Sequence, residues 1–120
     1  IFLDDKSLRK QIMSIKTDRT PLESPKKWST CNCFAIYELL ADPKQIDSMK
    51  NKYCSGNYGY GNAKQELYEL ITEKFSNERE KYSYYMSNPD EINKILTLGA
   101  EKAAIVAKEV LSRVRSKLGY

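Results

Sequence analysis

The sequence predicts an all-α fold, a compact bundle of about five or six helices in a single domain spanning all 120 residues. Apolar residues recur every three or four positions through most of the chain, and no stretch alternates as a half-buried strand would. Two segments, Asp42-Pro43-Lys44-Gln45 and Asn88-Pro89-Asp90-Glu91, have the chemistry of helix starts: a capping side chain, a proline where no donor is needed, and an amide or carboxylate that can return a hydrogen bond.

A first helix is expected over residues 5–16, with Leu8, Ile12 and Ile15 on one face, Lys6, Arg9 and Lys10 on the other, and Asp4 and Asp5 at its positive end. Residues 17–30 hold Pro21 and Pro25 and read as an irregular connection, long for a small domain and therefore either functional or packed on something else. Trp28, near its end, either pins the loop to the core or covers a surface that faces a missing part. A second helix over 31–41 is apolar nearly all round through Phe34, Ala35, Ile36, Leu39 and Leu40, so it belongs at the centre. Asp42 then caps a third helix, whose buried stripe is Ile46, Met49 and Tyr53 and whose Lys44, Lys50 and Lys52 face solvent.

Gly56, Gly59 and Gly61, followed by Lys64, match neither nucleotide-binding glycine pattern, and no strand precedes them. A tight helix-to-helix turn is the simpler reading. Asn62 is expected to cap a long fourth helix over 63–87, with Ala63, Leu67, Leu70, Ile71, Phe75, Tyr82 and Met86 on its stripe. Tyr82, Tyr84 and Tyr85 cannot all share that face; such side chains either edge a core or stack on a splayed base. A fifth helix follows Asn88 to Leu98, Gly99 breaks or kinks it, and a last helix over 100–118 turns Ala103, Ala107, Val110, Val114 and Leu118 inward until Gly119 ends it.

Composition narrows the function classes. With 41% hydrophobic and 30% charged residues the chain reads as soluble and globular, no window approaches a membrane span, and nothing reads as a signal peptide. Three cysteines, Cys31, Cys33 and Cys54, cannot all pair, which favours a reducing cytoplasm. Cys31 and Cys33 form a C-x-C, but with no histidine in the chain a structural zinc set is hard to complete, and free thiols are the simpler reading. An autonomous enzyme has little support, since neither a nucleophile-base pair nor a metal constellation is evident. The net charge of +4 is unevenly spread: residues 43–64 and 97–120 each carry +3, whereas 65–96 carry −3. Basic ends around an acidic middle suit a phosphate partner, and equally suit a mixed solvated surface.

Four segments in order, Lys10 to Asp18 (KQIMSIKTD), Thr30 to Phe34 (TCNCF), Lys52 to Gly61 (KYCSGNYGYG) and Gly99 to Ala103 (GAEKA), resemble the carboxy-terminal region of bacterial tryptophanyl-tRNA synthetases. The resemblance covers essentially the whole chain. It implies a fragment of a class I synthetase that activates tryptophan with ATP and attaches it to its tRNA, a homodimeric, cytoplasmic enzyme of protein biosynthesis. ATP and Mg2+ would belong to the upstream catalytic fold, whose H-I-G-H and K-M-S-K-S signatures do not occur here, so the fragment alone should be inactive, without a cofactor, and monomeric. Residues 1–16 would join that fold to the helical domain.

The resemblance implies anticodon recognition, with bases of an unpaired loop read by edge hydrogen bonds and stacking while cations hold phosphates. By position, Asp42 is the candidate to accept from a base, with Lys44 and Lys50 near the backbone and Lys64 and Arg79 as weaker choices. The alternative function is a helical interaction domain packing on a partner without direct RNA binding, and the first such partner would be the catalytic fold. Lys26-Lys27-Trp28-Ser29 departs from the acidic or proline-containing turn frequent in relatives, and Cys33 and Cys54 look like local substitutions.

Overall fold

The computed structural model describes residues 1–119. The described residues are all-α: α1 (Asp5–Met13), a 3-10 turn (Trp28–Thr30), α2 (Asn32–Leu40), α3 (Pro43–Ser55), α4 (Tyr60–Lys74), α5 (Ser76–Ser87) and α6 (Pro89–Leu118). By internal contacts the chain divides into two units, Ile1–Arg79 and Glu80–Tyr120. No helix among the described residues is long and apolar enough to cross a membrane.

The first unit owns the core. Asp4 caps α1 by accepting from the Ser7 amide at 3.0 Å, which holds the Asp4 carboxyl below its ordinary pKa. Leu8 and Ile12 then face inward together from successive turns. The helix stops at Met13, three residues short of the expected end, because the Lys64 ammonium takes the Met13 carbonyl at 3.0 Å and the Ser14 hydroxyl folds back on Gln11. α2 and α3 supply Cys33, Phe34, Met49 and Tyr53, all essentially without solvent contact, and α4 supplies Ala63, Leu67 and Ile71.

Tyr53 is the hub of this core. Its ring meets Phe34, Tyr58 and Tyr60 at centroid distances of 5.8, 5.6 and 6.1 Å. Its hydroxyl lies 3.4 Å from the Cys31 sulfur, so the polar tip is satisfied inside. Burial pushes the Cys33 thiol up to about 11, a setting in which it stays protonated and packs as a small apolar group.

The connection before α2 is irregular in path but firmly tied. Lys26 is buried, and its ammonium donates to the carbonyls of Pro21, Leu22 and Ser24 at 3.0, 3.2 and 3.3 Å while its amide donates to Tyr53 O. Asp18 accepts from the Tyr60 hydroxyl at 2.6 Å and from the Thr20 amide at 2.9 Å, and the Tyr60 bond leads the causes that lower its pKa. Gly56 closes the loop from the far side. It adopts φ 75°, and a Cβ there would stand 2.5 Å from the Glu23 carbonyl oxygen, so both conformation and space require glycine. Trp28 pins the loop to the core, its ring 5.4 Å from that of Phe34.

Several expected boundaries are corrected. α4 begins at Tyr60 with Gly59 as its cap, not at Ala63 after Asn62, because the Asn62 and Ala63 amides already donate to Gly59 O. The long helix over 63–87 is two helices, parted at Phe75, which leaves helical dihedrals (φ −108°, ψ 19°) with its ring against the core. Gly99 does not break the chain into two helices; α6 runs 30 residues, or about 45 Å at the helical rise. One glycine costs only about 1 kcal/mol in a helix interior, and good helix formers on both sides outweigh it.

Neither α5 nor α6 contains a buried residue. Tyr82, Met86, Val110, Val114 and Leu118, expected to face inward, are exposed, as are Ala103 and Ala107. Asn88 makes no side-chain cap; its amide donates to Tyr84 O at 2.8 Å, and Glu91 accepts from the Tyr84 hydroxyl instead of returning a bond to Asn88. Gly119 does end α6, in the left-handed conformation at φ 80°.

Candidate nucleic-acid interface

The start of α3 is built by local chemistry. Asp42 accepts from the Gln45 amide at 2.8 Å, and the Gln45 side chain accepts from the Asp42 amide at 2.9 Å, a reciprocal capping box with Pro43 at the first helical position. The bond uses one carboxylate oxygen. The other takes no bond among the described residues, and the side chain is exposed. Lys44, two residues on, is exposed and its ammonium makes no polar contact among the described residues.

Behind Asp42 lies a groove of about 330 Å³ lined by Leu40, Ala41, Asp42, Gln45, Leu70, Glu73 and Lys74. The end of α2 and the last turns of α4 meet the start of α3 there. Lys74 donates to the Leu40 carbonyl, which fixes one wall by satisfying an orphan carbonyl at the end of α2. The groove offers carboxylate and amide acceptors, an amide donor and apolar walls. That combination suits a planar group with both polar edges and an apolar face.

The other expected site residues are engaged within the fold. Lys50 is half-buried, not in solvent: its ammonium lies 4.6 Å from the centroid of the Trp28 ring and 3.7 Å from Glu38. Lys52 likewise turns to Glu66, at 2.8 and 2.9 Å, where the Tyr58 hydroxyl also donates at 3.0 Å. Lys64 caps α1 through Met13. Arg79 donates to the carbonyls of Ile1 and Leu3 and pairs with Asp5, holding the chain entry against the start of α5. Of the five candidates, Asp42 and Lys44 stand together with a free acceptor and a free cation, whereas Lys50, Lys64 and Arg79 have structural partners elsewhere in the first unit.

Sequence reasoning did not single out Gln45 or Leu70 as walls of a groove, or Glu73 and Lys74 at all. Lys74 lies 34 positions from the carbonyl it holds. Only the approach of α4 to α2 reveals the pairing. No group of three or more His, Cys, Asp or Glu that could hold a metal occurs among the described residues, and the glycines at 56 and 59 serve the loop and the α4 cap.

No family model matches the chain. Among curated proteins, the tryptophan–tRNA ligase of Campylobacter jejuni is 40% identical over 119 residues, which is 99% of this chain and 37% of that protein. The tryptophan–tRNA ligase of Rhodopirellula baltica is 38% identical over 99% of this chain and 37% of its own length. A solved tryptophanyl-tRNA synthetase from Campylobacter jejuni, complexed with ADP and tryptophan, superposes with a TM-score of 0.95 at 39% identity, covering 100% of this chain and 38% of that one. The chain therefore spans little more than a third of the length of the relatives it matches. End to end, in both sequence and fold, it is similar to a little over a third of a tryptophanyl-tRNA synthetase.

Proposed function

We propose that this chain is the tRNA-reading helical region of a tryptophan–tRNA ligase, the enzyme that activates tryptophan with ATP and attaches it to its tRNA, and that the start of α3 reads the anticodon. The observation that carries this reading is the free carboxylate oxygen of Asp42, beside the unpartnered Lys44, at the mouth of a groove of about 330 Å³. An unpaired base entering the groove would give a ring donor to Asp42 and place its own phosphate near Lys44, while Gln45 and Glu73 offer further edge partners. Lys50, Lys64 and Arg79 act behind this contact, by fixing Trp28, the end of α1 and the chain entry.

ATP and Mg2+ belong in this reading to the part of the protein outside this chain, as do homodimer contacts and the chemistry. Its setting is the cytoplasm. The rest of the polypeptide is also the first protein partner. Ile95, Val106, Val110 and Val114 form an exposed apolar stripe on one face of α6, and relatives of this chain carry more than half their length beyond the matched region. Residues 1–16 are the connection to that fold.

The test separates the cap from the contact. Asn at position 42 can still accept the Gln45 amide bond, so Asp42→Asn keeps α3 intact while removing the charge and changing the edge pattern. The expected outcome is weaker binding of tryptophan tRNA by Asp42→Asn, with the loss shrinking when the anticodon is replaced. Equal binding of both tRNAs by the unsubstituted protein contradicts anticodon reading.

A further inference from the structure

A second groove lies on another face of the first unit, between α1 and α4. It encloses about 570 Å³ and is lined by Asp5, Lys6, Arg9, Lys10, Met13 and Tyr68. None of these residues takes part in the groove at the start of α3. From this arrangement we infer a second RNA site, one that binds a single-stranded nucleotide segment without reading its sequence. The inference rests on the tRNA reading above but uses different residues.

The lining divides into an apolar floor and a basic rim. Met13 and Tyr68, both half-buried, line the floor. Arg9 is preorganised along it: Nε and an Nη donate to Gln65 Oε1 at 3.3 and 3.1 Å, and Gln65 Nε2 is held in turn by Glu69 at 2.8 Å. Arg9, held by Gln65, and Tyr68 line the same groove, and a guanidinium and a phenol ring are both planar surfaces on which a base can stack. Lys6 and Lys10 are exposed, make no polar contact among the described residues, and lie one helical turn apart on the same face.

Charge complementarity selects the occupant. Against Lys6, Arg9 and Lys10 the lining sets one acidic residue, Asp5, whose Oδ1 is paired with Arg79, so the rim keeps a positive balance with two free ammonium groups. Stacking surfaces beneath a pair of unneutralised cations match a nucleotide's base and phosphates better than an acidic peptide, whose carboxylates would find the rim but whose side chains have no use for planar surfaces.

The experiment uses the full-length protein carrying this chain, with two probes: tryptophan tRNA and the same tRNA with its anticodon replaced. The variants are Lys6→Ala/Lys10→Ala, Tyr68→Leu and Tyr68→Phe. Removing two phosphate contacts should flatten the dependence of log affinity on log salt by about 1.4 for both probes. Tyr68→Leu should lose roughly tenfold in affinity for both, and Tyr68→Phe, which retains the ring, should lose little. An unchanged salt slope in the lysine double variant would overturn the inference, as would equal affinities for Tyr68→Leu and Tyr68→Phe. If the lysine variant instead loosens association with a protein partner at unchanged RNA affinity, the groove is a protein surface and the inference falls. The two readings fail separately: an anticodon swap without effect sinks the α3 assignment alone, while a lysine effect on both probes still supports this groove.

Discussion

The second unit, residues 80–120, is more fully helical than the first, 1–79, yet among the described residues every buried side chain belongs to the first. The first has the Tyr53 hub, a buried lysine tying a loop, and a glycine whose hydrogen cannot be replaced. The second has a helix of 30 residues with good formers, an acidic first turn and a basic last turn, but no internal core. Helicity is therefore a local property of this sequence, and burial is not. A stripe of Val and Ala at helical spacing specifies that a face exists and leaves open whether this chain or another covers it.

The contrast is broken most forcefully at its centre. Tyr53→Ala should destabilise the chain by about 3–5 kcal/mol, as large aromatic truncations in cores do, whereas Val114→Ala should change the same thermal melt by no more than about 0.5 kcal/mol. If both cost alike, the second unit has a core of its own. Repeating Val114→Ala in the full-length protein sharpens the point, because a cost of about 1 kcal/mol there and none here would place the rest of the polypeptide on α6.

Gly56→Ala comes next. A left-handed conformation together with a Cβ 2.5 Å from Glu23 O should cost about 2 kcal/mol in denaturant unfolding, while Gly99→Ala, in the open middle of α6, should stabilise by up to about 1 kcal/mol. Lys26→Met keeps the buried stem but strips three carbonyls of their donor, with an expected loss of about 1–3 kcal/mol; Lys108→Met on exposed α6 should be silent.

The smallest effect is in pH. Cys33 has its folded pKa raised to about 11 from 9.0, chiefly by desolvation. A raised thiol pKa means that its contribution is complete below pH 9 and is lost as pH rises towards 11. Melts of Cys33→Ala should therefore show a weaker decline across that alkaline window than the unsubstituted chain.

What could be read from sequence divides along the same line. The Asp42 capping box was legible because its partners lie three residues apart and chemistry alone selects them. The stripes of Leu8 and Ile12, Met49 and Tyr53, and Leu67 and Ile71 were legible because period and burial coincide there. The end of α1 was not, since it depends on an ammonium 51 positions away. Lys26 read only as part of a segment that departs from the family's turn, because nothing local foretells three converging carbonyls. The inward face assigned to α6 followed correctly from its period and wrongly assumed that its cover lay within these residues. At the candidate interface, sequence and family resemblance singled out Asp42 and Lys44 as candidates, while the groove walls from α4 emerged only when the helices were assembled.

The most direct test of the α3 assignment is amide hydrogen exchange of the full-length protein, free, with tryptophan tRNA, and with the anticodon-replaced tRNA, both tRNAs at saturation. The account predicts slowed exchange around residues 41–46 and 70–74 with tryptophan tRNA, where Asp42, Gln45, Leu70, Glu73 and Lys74 line the groove, and a smaller effect with the replaced anticodon. Equal slowing by both tRNAs, or slowing confined to other helices, would contradict it.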